Sequence, residues 1–442
     1  MRQVDAAVIG GGVLGCFTAR NLTHWQLSAV LIEQAEDVCT GITRANSATV
    51  YPGYDNRPGS LKAEMTVRGN REFDNLCREL EVPFNRCGSL LVTYDEEALP
   101  RLRKKMEQGR QNGVPGLRLL SGREAEQMEP MLNPGVKGAL YAPTTGTVNP
   151  WQLGIAAYES ALKNGVVPML NTAVMGIGKT EGGYLLKTTG EDILCKVVIN
   201  CAGLFADRVQ ELLFSPSVRL HWDGAEYLVL DKLARKPERV IFHQAQSCGK
   251  GITAIPCVEG NLLFSGVRKP ISAPFATTVE GLAELKRDAK DLLPDLDTSQ
   301  IIRSFAAVRP NPYRENGEAL HDFCIENPEP GFYSLIGIKT PGLTCADQLG
   351  YYLAEKTARF LNAKPNPCFD PHRKAIPKTD DQEIVCQCEG ITRAEILEAI
   401  RRGATTVDGV KRRVGSGMGR CQGSRCGFPI EKLLEEARHG AL

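Results

Sequence analysis

Val4-Asp5-Ala6-Ala7-Val8-Ile9-Gly10-Gly11-Gly12-Val13-Leu14-Gly15 opens the chain, and the reading of this stretch decides the fold. The first six residues are a short apolar run with β-branched members, which predicts a strand. Gly10, Gly12 and Gly15 follow at once and fit G-x-G-x-x-G. A helical stretch then runs to about Trp25, and a second apolar run, Ser28-Ala29-Val30-Leu31-Ile32, ends on Glu33. Strand, glycine turn, helix, strand and acid stand in register. In such a unit Gly10 allows the tight turn, Gly12 lets the backbone approach a pyrophosphate, and Gly15 lets the helix pack close to the strand. The helix start offers unpaired N–H groups and a positive dipole end. Glu33 can accept hydrogen bonds from ribose hydroxyls. A dinucleotide site is expected here; a glycine-rich turn in some other α/β unit is the plainer reading of the glycines alone.

The 442 residues suggest more than one domain. Lys and Arg number 53 against 52 Asp and Glu, for a net charge of +1, so nothing points to a nucleic-acid or membrane surface. No apolar run approaches the roughly 20 residues that span a bilayer. The chain enters its first strand at once, leaving no room for a secretory leader, and a cytoplasmic enzyme is the expectation. Fifteen cysteines are many for such a protein. Those up to Cys368 read mostly as small buried hydrophobes.

Outward from the opening unit, Thr40-Gly41-Ile42-Thr43-Arg44-Ala45-Asn46-Ser47 follows the acid-bearing strand and should lie along the cofactor, unless it is a plain polar loop. Residues 60–80 and 150–164 read as helices. Val197-Val198-Ile199-Asn200-Cys201-Ala202-Gly203 is a buried strand ending in small residues that let a ligand approach. Strand-like runs across 215–325 look like a separate substrate-binding sheet. A last apolar strand ends at Gly337, and Thr340-Pro341-Gly342-Leu343-Thr344 leads into another helix, giving a second strand–turn–helix unit. Residues 363–382, rich in Pro, Lys and Asp, read as a linker.

Beyond it come Cys386-Gln387-Cys388 and then Cys421-Gln422-Gly423-Ser424-Arg425-Cys426, with two short amphipathic helices between. Four thiolates in two pairs can hold zinc or an iron–sulfur cluster. C-x-C is short for a zinc knuckle, and the glycines around the second pair offer free N–H groups to sulfide, which favours [2Fe–2S]; zinc and four ordinary thiols stay open.

These motifs together resemble the FAD-dependent oxidoreductases of the D-amino-acid oxidase/glycerol-3-phosphate dehydrogenase superfamily. The tail resembles the bacterioferritin-associated-ferredoxin-like [2Fe–2S] domain. The resemblance implies an α/β chain: a Rossmann-like, glutathione-reductase-type FAD domain (1–75, 150–215 and 326–362), an antiparallel-sheet substrate domain (76–149 and 216–325) and a small α-helical [2Fe–2S] domain (383–442). By carry-over, Gly10, Gly12 and Gly15 hold the pyrophosphate and Glu33 the ribose. Thr43, Asn46 and Ser47 line the diphosphate–flavin segment, Val174 meets the adenine, and Gly203 passes close to the cofactor. Gly337, Gly342, Leu343 and Thr344 form the turn at the flavin ring. Cys386, Cys388, Cys421 and Cys426 hold the cluster. Arg309 matches the arginine that pairs with a substrate anion, for which a planar two-pronged donor is suited; a surface salt bridge is its plainer role.

There are departures. Relatives usually have a histidine where this chain has Tyr51, and tend to carry basic residues where it has Leu220-His221-Trp222-Asp223-Gly224. Both weigh against glycerol 3-phosphate itself while leaving the flavin chemistry intact. Tyr51, His221 and His243 are candidate bases, histidine being the easier one at neutral pH. Lys339 is placed to offset negative charge near the flavin. The expected activity is dehydrogenation of a small anionic hydroxy compound, with electrons passed through the cluster to an acceptor protein such as a second flavoprotein subunit. An amine, imino-acid or opine dehydrogenase subunit, and a non-catalytic electron-transfer subunit, are the alternatives.

Overall fold

The computed structural model describes residues 1–244, 250–266, 269–271 and 274–440. The opening unit forms as read. Strand β1 (Arg2–Ile9) leads through the glycine turn into helix α1 (Val13–Leu22), and β2 (Ala29–Ile32) follows. Both strands are buried in a parallel sheet in the order 332–336, 193–200, β1, β2, 167–169. Parallel strands covered on both faces must be apolar throughout, which is why these runs lack alternation. Helix α1 packs on one face with the helices Pro150–Lys163 and Gly342–Leu361. An antiparallel pair, Val174–Thr180 and Gly183–Thr188, joins the sheet through 193–200 and supplies Ile177, Tyr184 and Leu186 to the core on the other face. Helix α2 (Leu61–Glu79), capped by the Ser60 hydroxyl, packs against Gly342–Leu361 and so belongs to this domain.

The second domain is built on a nine-stranded sheet. Its two long strands, Arg219–Leu230 and Ile301–Tyr313, pair antiparallel from Arg219 opposite Tyr313 to Leu230 opposite Ile301. The sheet draws strands from both stretches assigned to it, because Ser89–Thr93 pairs with Val240–Gln244. That pairing is parallel, an exception in a sheet otherwise antiparallel.

Residues 363–382 are no slack linker. Up to Ala375 they run as a strap along the first domain: Asn366 N–H donates to His24 C=O at 2.7 Å, Asp370 N–H to Asn164 Oδ1 at 2.8 Å, and Arg373 Nε to Glu159 at 2.6 Å; Lys378 and Thr379 then pair with Glu395 and Thr392 of the chain's last part. Phe369 stacks on His24 with ring centres 3.8 Å apart. The strap delivers the chain to three short helices, Arg393–Arg401, Val407–Val414 and Gly427–Arg438, packed around Ile396, Val410 and Ile430. The last was not foreseen from sequence.

This third domain docks on the first through a buried ion pair. Arg413 donates two parallel hydrogen bonds to Asp37, at 2.7 and 2.9 Å, and Arg412 adds a third at 3.0 Å. Arg413 and Asp37 are each 1% exposed. Burial alone would raise the Asp37 pKa, yet the two guanidiniums hold it below its ordinary value.

Candidate active site

A cleft of about 900 Å³ runs from the β1–α1 turn to the face of the long antiparallel strands. At one end lie Gly10, Gly12 and Glu33, with Val174 close by. Gly10 has φ +104°, and a Cβ there would sit 2.5 Å from the Cys201 carbonyl. Gly15 does not line the cleft. A Cβ on it would lie 1.8 Å from the Gly10 carbonyl, so its role is the close helix–turn packing read from sequence. Glu33 is held by backbone donors, accepting from Gly11 N–H at 2.6 Å and Ala35 N–H at 2.9 Å. Helix α1 has no side-chain cap and no acid in its first turn. An uncapped, acid-free helix start beside a glycine cradle and a fixed carboxylate is the donor and acceptor set a dinucleotide needs.

The middle of the cleft is lined by Thr43, Asn46, Ser47 and Gly203. Thr43 Oγ1 already accepts from Val13 N–H at 3.0 Å. The Asn46 amide braces its own loop, donating to Thr43 C=O at 2.9 Å and accepting from Ala48 N–H at 2.8 Å. At the far end Gly342 and Leu343 open the helix Gly342–Leu361, again without a side-chain cap or first-turn acid. Thr344 is buried behind them and accepts from Tyr51 N–H at 2.9 Å; Gly337 is a turn residue outside the lining.

Tyr51, Arg309 and Lys339 all face this far end. The Tyr51 hydroxyl lies 3.5 Å from Ser47 Oγ. Arg309 has a buried Nε with no hydrogen-bond partner among the described residues. A buried guanidinium nitrogen left unbonded is costly unless a ligand completes it. Lys339 Nζ is 3.4 Å from Asn311 Oδ1 and 3.3 Å from Leu320 C=O. The expectation for His221 is corrected. It is exposed and is not among the residues that line the cleft, its ring lying 4.8 Å from that of Tyr313, which does line it. His243 is also outside the lining; it packs near Tyr94, and burial lowers its pKa.

Several lining residues were not singled out from sequence: Asp223, Asn311, Tyr313 and His321. The strand period of two offered a signal, since Asn311 and Tyr313 follow Arg309 at alternate positions on one face.

In the third domain the four cysteines come together as two pairs. Cys386 is in contact with Cys426 and Cys421 with Cys388, while no three His, Cys or acidic groups among the described residues gather around a single metal position. Cys386 and Cys426 are buried, Cys421 half-buried and Cys388 exposed. Gly417 N–H donates to Cys386 Sγ at 3.4 Å. Backbone donors at Arg425 and Gly423 bring the Cys421 thiol down to about 7, whereas burial and the neighbouring Cys386 push Cys426 up to about 12. N–H groups aimed at sulfur favour thiolate, the form that ligates iron.

The fold and the cradle define a flavoprotein-type dinucleotide oxidoreductase carrying an appended thiolate centre. The chain belongs to the FAD dependent oxidoreductase family, which residues 5–356 match, and residues 384–436 match the BFD-like [2Fe-2S] binding domain. FAD and a [2Fe–2S] cluster are therefore its cofactors. A glycerol 3-phosphate dehydrogenase of Caloramator mitchellensis is 39% identical, over 97% of this chain and 93% of that protein. The human mitochondrial L-2-hydroxyglutarate dehydrogenase is 32% identical over 53% of this chain and 52% of that one. The dithionite-reduced L-α-glycerophosphate oxidase of Mycoplasma pneumoniae, solved with FAD bound, superposes with a TM-score of 0.78 at 26% identity, covering 84% of this chain and 99% of that one. No helix among the described residues is long and apolar enough to cross a membrane.

Proposed function

We propose that this protein is a dehydrogenase for a small anionic hydroxy compound of the glycerol 3-phosphate or 2-hydroxy-acid type, delivering the electrons to a partner protein. The observation that carries the reading is Arg309, whose buried Nε lacks a partner among the described residues, in a cleft it shares with Tyr51 and Lys339. A planar fork suits a carboxylate or phosphate. The two relatives named for glycerol 3-phosphate and L-2-hydroxyglutarate dehydrogenation support the substrate class.

When bound, FAD supplies a hydride acceptor and the [2Fe–2S] cluster a one-electron outlet. The chain's own residues do the rest. Gly10, Gly12, Glu33, Thr43, Asn46, Ser47, Val174 and Gly203 would hold the cofactor along the cleft, with Gly342 and Leu343 at its ring end. Cys386, Cys388, Cys421 and Cys426 would hold the cluster. Arg309 anchors the substrate anion, and Lys339 adds positive charge at the same end. The Tyr51 hydroxyl hydrogen-bonds the substrate's hydroxyl, and the imidazole of His321, the histidine in the lining, takes up its proton. The uncapped start of Gly342–Leu361 favours negative charge at the ring end.

The test is an anaerobic panel of hydroxy acids, polyol phosphates, amino acids and imino acids, scored by bleaching of the bound flavin. Bleaching by an anionic hydroxy compound is expected. If none bleaches it while a partner protein does, the chain is an electron-transfer subunit and the reading fails.

A further inference from the structure

Asp223 lies directly opposite Arg309 in the pairing of the two long strands, and both side chains line the cleft. Residues so placed have neighbouring side chains on one face. An acid and an arginine in that position ordinarily join as an ion pair. Here they do not: among the described residues Arg309 has no ion-pair partner and its Nε is unbonded, while Asp223 is bonded to something else. Asn311, 8% exposed, donates from Nδ2 to Asp223 Oδ2 at 2.8 Å, and its Oδ1 lies 3.4 Å from Lys339 Nζ. The amide thus engages one Asp223 oxygen. The other, Oδ1, takes no bond from the described protein.

Two unsatisfied groups of opposite character therefore stand side by side in the substrate cleft, a guanidinium and a carboxylate oxygen. A ligand that completes both carries an anion for Arg309 and, a short reach away, a hydrogen-bond donor for Asp223. A second carboxylate in the Asp223 position meets like charge in a site of reduced dielectric, where repulsion is stronger than in water. We infer that Asp223 and Asn311 form a hydroxyl-reading subsite, which selects a polyol phosphate bearing a second free hydroxyl and disfavours a dicarboxylic hydroxy acid. This inference rests on the proposed function, because Arg309 must hold the anion.

The test uses the holoenzyme and anaerobic flavin bleaching with three probes: sn-glycerol 3-phosphate, propane-1,2-diol 1-phosphate, which lacks the terminal hydroxyl, and L-2-hydroxyglutarate. The wild type should prefer glycerol 3-phosphate over the deoxy analogue by about ten- to a hundredfold in kcat/KM, the scale of one hydrogen bond to a charged group. D223A should bring that preference to within about threefold. D223N keeps the side-chain shape and should raise L-2-hydroxyglutarate relative to glycerol 3-phosphate by at least about tenfold. If D223A slows every probe equally and keeps the preference, Asp223 only braces Asn311 and the inference is wrong. An unchanged dicarboxylate ratio in D223N overturns it as well, including where D223A does not fold. A wild type bleached by no anionic hydroxy compound, these probes included, removes the proposed function and this subsite together; a wild type bleached by another anionic hydroxy compound but by none of these probes, or bleached by them with unmoved ratios, removes the subsite alone.

Discussion

Replacing Arg413 by Met keeps an unbranched chain of similar length in the third domain but strips Asp37 of its two-pronged partner. Asp37 is 1% exposed and stays charged at neutral pH because Arg413 and Arg412 surround it. Breaking a buried pair by removing one member typically costs about 3–5 kcal/mol, since the remaining charge is left without compensation. Arg412 still reaches Asp37 at 3.0 Å, so the lower figure applies. A loss of about 3 kcal/mol in the local opening of this interface accelerates amide exchange there by roughly a hundredfold. Hydrogen-exchange mass spectrometry of the holoprotein at neutral pH should show this in peptides from 407–414 and 35–39, with little change in the sheet of the second domain. Rates in 407–414 within about threefold of wild type would falsify the docking role. The pH dependence has a definite sign. A carboxylate depressed on folding adds stability above its unfolded pKa, near 3.8, and loses it as the pH falls through the lower folded value. The domain should stay docked through mildly acidic pH and release only below the ordinary carboxylate range, in wild type and not in R413M, where release is already advanced.

Three other outcomes are expected. Arg309→Ala should raise the KM for an anionic hydroxy substrate by about ten- to a hundredfold, read by steady-state assay with an artificial acceptor; an unchanged KM removes Arg309 from the site. Gly10→Ala forces a Cβ to 2.5 Å from the Cys201 carbonyl at a φ of +104°, so it should cost about 1–3 kcal/mol and lower the flavin-to-protein ratio on purification. Cys421→Ser should abolish the visible bands of the cluster while bound flavin and its bleaching by substrate persist; loss of both would place Cys421 in the folding of the whole chain.

The parts legible in the sequence are those whose physics is local. A tight turn, a close helix and a fixed acid require particular residues within the first thirty-three, so Gly10, Gly15 and Glu33 announce themselves. The second turn at 340–344 and the paired cysteines do the same. What stayed hidden depends on partners far apart in the chain. Asp37 and Arg413 are 376 positions apart, and neither carries a local pattern that marks it. The 363–382 strap has the Pro, Lys and Asp content of a loose connector, and its order comes from Asn164, Glu159 and His24. His221 was singled out as the residue type most apt for proton transfer, but its side chain is exposed and does not line the cleft. Asp223, two positions on, lines the cleft instead.

The strap bears on how electrons can leave. A redox module on a loose tether works as a shuttle, docking at the donor and then at the acceptor, and its turnover is set by how fast it swings. Here the tether is laid down along the first domain and its cargo is locked by Arg413, so that journey is closed. On the proposed function, travel then falls to the electron acceptor, and among the four cluster cysteines it is Cys388 that is exposed. Lengthening the connector should therefore slow delivery rather than free it.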